Sequence, residues 1–266
     1  TQRAAAESFQ VGGKGINVAR MLTRLGTPNT ALCFTGGAPG AECEAWLEHR
    51  GLAHRAVRTL SAPRTGVVIR DRSGATRETT FLGADRAPDA TALQACADFL
   101  ETQPDGQVLA LCGSFPGWNE PDTAPLRAAL DRWNARGVLV ADTYGPPLAW
   151  AAERPLALVK INADEVRSIG ATDTLASGRP TLVHRWVVSD GPKPLWVRDE
   201  TGQTHTLTPP VVREISATGS GDVLLACILH GWVVRGLSLR DAVQFALPYA
   251  AANAAHRGIA EFTDPA

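Results

Sequence analysis

Short apolar and β-branched runs alternate with segments of helical periodicity along nearly the whole chain of 266 residues, and this alternation restricts the fold more than any single motif. Val18, Met21, Leu22 and Leu25 recur at i, i+3, i+4 and i+7, which predicts a helix over 14–25 stopped by Gly26. Strands are expected over 30–34, 108–112, 138–141 and 156–161, with helices over 41–49, 90–100, 122–135 and 164–169. A strand-rich stretch covers 186–189, 195–198 and 203–207. Two long helices follow, 221–234 and 239–256, and Pro248 is expected to kink the second because it lacks a backbone donor. Such alternation implies an α/β fold: a mostly parallel sheet with helices on both faces, in one domain over 1–266. The pattern changes once. Runs 65–71 and 75–82 flank Arg72-Ser73-Gly74 and predict a hairpin whose partly polar composition suits a sheet with one wet face. This hairpin is the candidate for a small lid built from about 64–84 together with 1–11.

Bulk properties exclude several classes of function. Hydrophobic residues make up 44% and charged residues 20%, enough for a sizeable core and against disorder. A formal net charge of −1 argues against a nucleic-acid partner. No apolar run approaches the roughly 20 residues of a membrane span, so no membrane partner is expected. Cys33, Cys43, Cys96, Cys112 and Cys227 are scattered and odd in number, as in a reducing, cytoplasmic setting. The six histidines have no metal-like spacing. There is no G-x-x-x-x-G-K-[ST], no G-x-G-x-x-G after a strand, no G-x-S-x-G and no H-E-x-x-H.

Three polar motifs punctuate the alternation. Ala217-Thr218-Gly219-Ser220-Gly221-Asp222 precedes a helix that is apolar nearly all round and must therefore be buried. Its N-terminus offers unpaired backbone donors, glycines let an anion approach them, and the helix dipole favours that anion. Asp222, in the first turn, lies where it could accept a proton from an attacking hydroxyl, although a capping role alone accounts for an acid there. Gly12-Gly13-Lys14-Gly15-Ile16-Asn17 is a second glycine-rich helix entry, with Asn17 suited to sugar hydroxyls. Asn162 and Glu165 share one face of a turn after a strand and are hard oxygen ligands suited to Mg²⁺; the same pair also spells a capping box.

Together these residues resemble the ribokinase/PfkB carbohydrate kinase family. Gly12 to Arg20 is similar to its first signature, and Thr218-Gly219-Ser220-Gly221-Asp222 to its second, usually Gly-Ala-Gly-Asp. Cys112-Gly113-Ser114-Phe115-Pro116-Gly117, Asp142-Thr143-Tyr144-Gly145 and 160–165 fall between them in the family's order. The resemblance implies a Rossmann-like three-layer sandwich with a small β-sheet lid, and transfer of the γ-phosphoryl group of ATP to a hydroxyl of a sugar or sugar phosphate. It implies Asp222 as base, Gly219, Ser220 and Gly221 as anion hole, and Asn162 and Glu165 on Mg²⁺. Gly12, Gly13, Lys14, Asn17 and Ser114 would face the sugar. Lys160, Ser189, Asp190 and Gly191 would lie by the nucleotide, with Asn253 near the adenine. The first signature is most similar to the 1-phosphofructokinase and tagatose-6-phosphate kinase branch, and Arg3, Arg64 and Arg77 would then clamp an acceptor phosphate.

The pattern departs from the family in four places. Its first core strand, with a sugar-binding aspartate, is expected before Thr1. Ser220 replaces alanine, Ile161 replaces proline, and the loop Ser189 to Pro194 is unusual for a nucleotide contact. Two other readings stay open: a ribokinase- or nucleoside-type kinase on an unphosphorylated acceptor, and a non-catalytic sugar- or nucleotide-binding protein of the same fold. An NAD-dependent enzyme ranks behind both for want of its glycine fingerprint. An open-edged lid also predicts a homodimer.

Overall fold

The computed structural model describes residues 4, 6–69, 79–172, 175 and 180–265. Helix α1 (Lys14–Arg24) leads to β1 (Ala31–Thr35), α2 (Gly37–His49) and β2 (His54–Arg58), and β1 pairs with β2 in parallel. Strands β3 (Gly66–Ile69) and β4 (Thr79–Leu82) form a separate antiparallel hairpin. Then come α3 (Ala90–Glu101), β5 (Val108–Gly113), α4 (Ala124–Arg136), β6 (Val138–Thr143), α5 (Pro146–Ala152), β7 (Leu158–Asn162) and α6 (Ala163–Ser168). The chain continues through β8 (Trp186–Asp190), β9 (Lys193–Arg198), β10 (Thr204–Leu207), α7 (Ser220–Leu229) and α8 (Leu239–Ala254). Six strands make the central sheet in the order β10-β9-β8-β7-β6-β5. Strands β5 to β8 run parallel, and β9 and β10 complete an antiparallel edge.

Alternation along each strand sorts the core into two layers. Leu139, Ala141, Val159 and Ile161 pack with Leu93, Leu130, Trp133 and Leu148 of α3, α4 and α5. Val140, Leu158, Val187 and Val197 pack with α1, α7 and α8 on the other face. Every residue of α7 from Val223 to Leu229 is buried, as its all-apolar circumference requires. Each such aliphatic side chain contributes about 1.5–3 kcal/mol by leaving water. The same period of two puts Asp142 in phase with Val140 and Lys160 in phase with Leu158. Both polar side chains therefore enter the α1/α7 layer, at the carboxyl ends of their strands.

Some expectations change. β2 was not anticipated, because in His54–Arg58 only Val57 is buried and the run lacks an apolar signal. α5 was not anticipated either, because Pro146-Pro147 reads as a loop; at the first turn of a helix the missing N–H costs nothing. The helix expected over 221–234 is α-helical only to Leu229 and closes in a π-type turn, His230–Val234. Pro248, where a kink is expected, lies inside α8. The hairpin has no single wet face: all eight residues of β3 and β4 are exposed. Its expected turn, Arg72-Ser73-Gly74, and the candidate residues Arg3 and Arg77 lie outside the described residues. No helix among the described residues is long and apolar enough to cross a membrane.

Candidate active site

The N-terminus of α7 is shaped by two glycines with different constraints. Gly219, its N-cap, adopts φ 77° and ψ −4°, the left-handed region that glycine enters without strain. Gly221 leaves room for a neighbour: a Cβ there would lie 2.7 Å from Lys160 Nζ. Asp222 follows in the first turn, only 6% exposed, and its Oδ2 accepts a 2.7 Å hydrogen bond from Asn17 Nδ2. Burial, and next the charge of Asp142, push its carboxyl up from 3.8 to about 6, against the pull of Asn17, Lys160 and Lys14. The group is thus ionised at neutral pH yet poised to take a proton.

Beneath it lies a buried charge network. Asp142 is fully buried and accepts from Lys14 Nζ at 2.6 Å and from Lys160 Nζ at 2.8 Å, one ammonium on each carboxylate oxygen. Lys14 also reaches Glu165 Oε1 at 3.2 Å. Burial opposes the Lys14 ammonium, but Asp142 and Glu165 outweigh it and hold its pKa above the ordinary lysine value. Asp142 is the residue the sequence reading did not single out as functional. Its signal was present: a carboxylate at a strand end, in phase with Val140 rather than with the solvent.

The remaining candidates are distributed around this centre. Asn162 and Glu165 do form a capping box on α6: Asn162 Oδ1 accepts from the Glu165 backbone at 2.9 Å, and Glu165 Oε2 from the Asn162 backbone at 2.8 Å. Gly12 and Gly13 stand in open space before α1, and a Cβ on Gly113, beside Ser114, would meet Lys14 Cβ at 3.8 Å. Ser189, next to last in β8, lines the cavity, whereas Asp190 pairs with Lys193 at 2.9 Å across the tight β8–β9 turn that Gly191 makes with φ 58°. Arg64, at the base of the hairpin, is paired with Asp85 at 2.6 Å. Asn253 is 1% exposed and its amide is engaged by the protein itself. A cavity of about 360 Å³ gathers Lys14, Lys160, Asn162, Ser189, Gly219, Gly221 and Asp222 into one wall. It lies off the carboxyl ends of β7 and β8, where open parallel sheets bind ligands.

The profile of the pfkB family carbohydrate kinases matches residues 1–265. The 1-phosphofructokinase of Rhodobacter capsulatus is 30% identical over 260 residues, covering 93% of this chain and 80% of that protein. The 1-phosphofructokinase of Xanthomonas campestris pv. campestris is 31% identical over 241 residues, covering 84% and 74%. The crystal structure of phosphofructokinase-2 from Escherichia coli in complex with substrates and products superposes with a TM-score of 0.84 at 23% identity, over 95% of this chain and 84% of that one. The chain belongs to the pfkB family of carbohydrate kinases, for which ATP is the phosphoryl donor.

Proposed function

We propose that this cavity transfers the γ-phosphoryl group of ATP to a hydroxyl of a phosphorylated ketohexose. The observation that carries the reading is Asp222, a buried carboxylate set beside the glycine-lined N-terminus of α7 with two ammonium groups in the same cavity. The acceptor oxygen attacks the γ-phosphorus, its proton passes to Asp222, and the bond to the β–γ bridging oxygen breaks to release ADP. The backbone donors of Gly219, Ser220 and Gly221, with Lys14 and Lys160, offset the charge on the transferring group. Asn17 holds one oxygen of Asp222, and its own buried Oδ1 has no hydrogen-bond partner among the described residues, an acceptor suited to a sugar hydroxyl. On this reading Gly12, Gly13 and Ser114 would face the sugar, and Ser189, which lines the cavity, would face the nucleotide with Asp190 and Gly191.

Asn162 and Glu165 would hold Mg²⁺ together with the nucleotide phosphates. Among the described residues no three His, Cys, Asp or Glu side chains converge as a metal cage. That fits an ion carried in on phosphates and water, as Mg²⁺ usually is, with one carboxylate and one amide at its side. Bound there, the ion would neutralise charge on the nucleotide phosphates.

Two 1-phosphofructokinase relatives at 30% and 31% identity favour a phosphorylated acceptor. The Arg64–Asp85 pair favours the second reading, an unphosphorylated sugar or nucleoside, because it engages a guanidinium expected on the acceptor phosphate. ADP release measured with fructose 1-phosphate, fructose 6-phosphate, tagatose 6-phosphate, fructose, ribose and adenosine separates them. One ketohexose phosphate should exceed every unphosphorylated acceptor in kcat/KM by at least about 100-fold, the scale of a lost charged contact. An unphosphorylated acceptor at the top would replace this reading with the second.

The hairpin is proposed as a lid over the sugar side and as the seam of a homodimer. Val67, Ile69, Phe81 and Leu82 are each more than half exposed, and pairing with a second copy would cover them. Light scattering at micromolar concentration should give twice the chain mass, and Phe81→Asp should return it to the monomer value. A wild-type monomer would refute the dimer. The five free thiols suit a cytoplasmic location.

A further inference from the structure

Asn253 has no donor left for a nucleotide. Its Nδ2 gives one hydrogen bond to Thr218 O and another to Ser220 Oγ, both 3.1 Å, while its Oδ1 accepts from Ala260 N at 2.9 Å. Three points are thereby tied to one buried amide: the last turn of α8, the turn that enters α7, and the segment 255–264. That segment is held on both sides of the site. Ile259 packs over Gly219 so closely that a Cβ there would fall 2.7 Å from Ile259 Cγ2. Arg24 of α1 donates to Ala260 O at 3.1 Å and pairs with Asp264, and Arg20 pairs with Glu261 at 2.9 Å. α1 is the helix that carries Asn17, whose amide fixes Asp222. Ala260 itself has φ 55°, a conformation that a residue with a Cβ keeps only when its surroundings hold it. The backbone just before the glycine turn is fastened to the same place, since Ile215 N and Ser216 N both donate to Ala254 O, at 2.7 and 3.1 Å.

We propose that Asn253 is a positioning residue, which with the segment 255–264 sets the anion-hole amides of Gly219 to Gly221 in register with Asp222 and Asn17. The proposal rests on the kinase reading for its catalytic consequence, but its structural content stands apart from it. Donors aimed at a developing charge contribute only when fixed beforehand, and a shift of about 1 Å costs about 100-fold in rate.

Asn253→Ala tests it through three readouts. The expected result is a fall in kcat of about 30- to 100-fold, a Kd for ATP within about threefold of wild type, and amide exchange at 217–222 faster by about tenfold or more with the central strands unchanged. A Kd for ATP raised about tenfold with exchange unchanged would make Asn253 a nucleotide contact and overturn the proposal; so would kcat and exchange both at wild-type values. If the wild-type protein transfers no phosphoryl group, the kinase reading fails and amide exchange alone decides whether Asn253 holds the turn. If Asn253→Ala does not fold, Ile259→Ala releases the turn from its other side, and a drop in kcat of about fivefold with faster exchange at 217–222 is expected; no change in either would overturn the proposal.

Discussion

Asp222→Asn should lower kcat by about 10³-fold and, at pH 8, make the protein more stable than wild type. The loss of rate follows from losing the group that takes the hydroxyl proton, a contribution of about 10²- to 10⁴-fold. The gain in stability follows from the same environment that makes the residue useful. The folded protein raises the Asp222 carboxyl from 3.8 to about 6, chiefly by burial and then by the charge of Asp142. Between those values the folded chain binds a proton more tightly than the unfolded chain, so this stabilising contribution is complete below about pH 4 and is lost as pH rises through about 6. Above that, the buried carboxylate is a standing cost of about 1–2 kcal/mol, discounting a full shift of about 1.4 kcal/mol per pH unit for residual solvation. Asparagine keeps the shape and removes the cost, and its Oδ1 still accepts from Asn17. Urea unfolding at pH 8 and pH 4.5 measures both ends: the advantage of Asp222→Asn should be present at the first and shrink at the second. Equal stability at both values would mean that Asp222 is not poised by its surroundings. In the wild type, kcat/KM should fall about tenfold per unit below about pH 6.

Asp142→Ala is expected to destabilise the fold by about 3–5 kcal/mol, the cost of removing one partner from a buried ion pair. Asp142 is fully buried and holds Lys14 and Lys160 on separate oxygens, and the Lys160 side chain is only 4% exposed. Without the carboxylate, the nearly buried Lys160 ammonium at the cavity wall is left without its counter-charge, and Lys160 loses the anchor that keeps it against Gly221. Asp142→Asn retains the volume and is the gentler probe. It should fold, lose about 100-fold in kcat through misplaced ammonium groups, and move the acid limb of the pH profile to lower pH. The direction of that last shift is fixed, because Asp142 is a charge that raises the Asp222 pKa. A loss below about 1 kcal/mol for Asp142→Ala would show that the two lysines find other partners and that the network is incidental.

The parts of the fold visible in the sequence are those in which local pattern and burial agree. Strands β6 to β8 are apolar runs closed by polar residues, and α7 is apolar on every side because it lies between the sheet, α1 and α8. Helix α5 and strand β2 were hidden because a proline pair and a run with one buried valine carry no periodic signal. The site was legible where a motif sits on one turn of chain, as at Gly219 to Asp222. Contacts between distant segments were not. Asn253 pairs with residues 33 and 35 positions away, and nothing local reports that its amide is already spent. Nor does the sequence around Asp142 show that two lysines, from 128 positions before and 18 after, converge on it.

The most direct test of the central claim follows the label from [γ-³²P]ATP into a ketohexose phosphate, with wild-type protein and Asp222→Asn side by side in the presence of Mg²⁺. Labelled sugar bisphosphate from the wild type, reduced by about 10³-fold in the folded variant, is the expected result. Undiminished labelling by Asp222→Asn, or none by a folded wild type that binds ATP, would contradict the assignment of this cavity as the phosphoryl-transfer site.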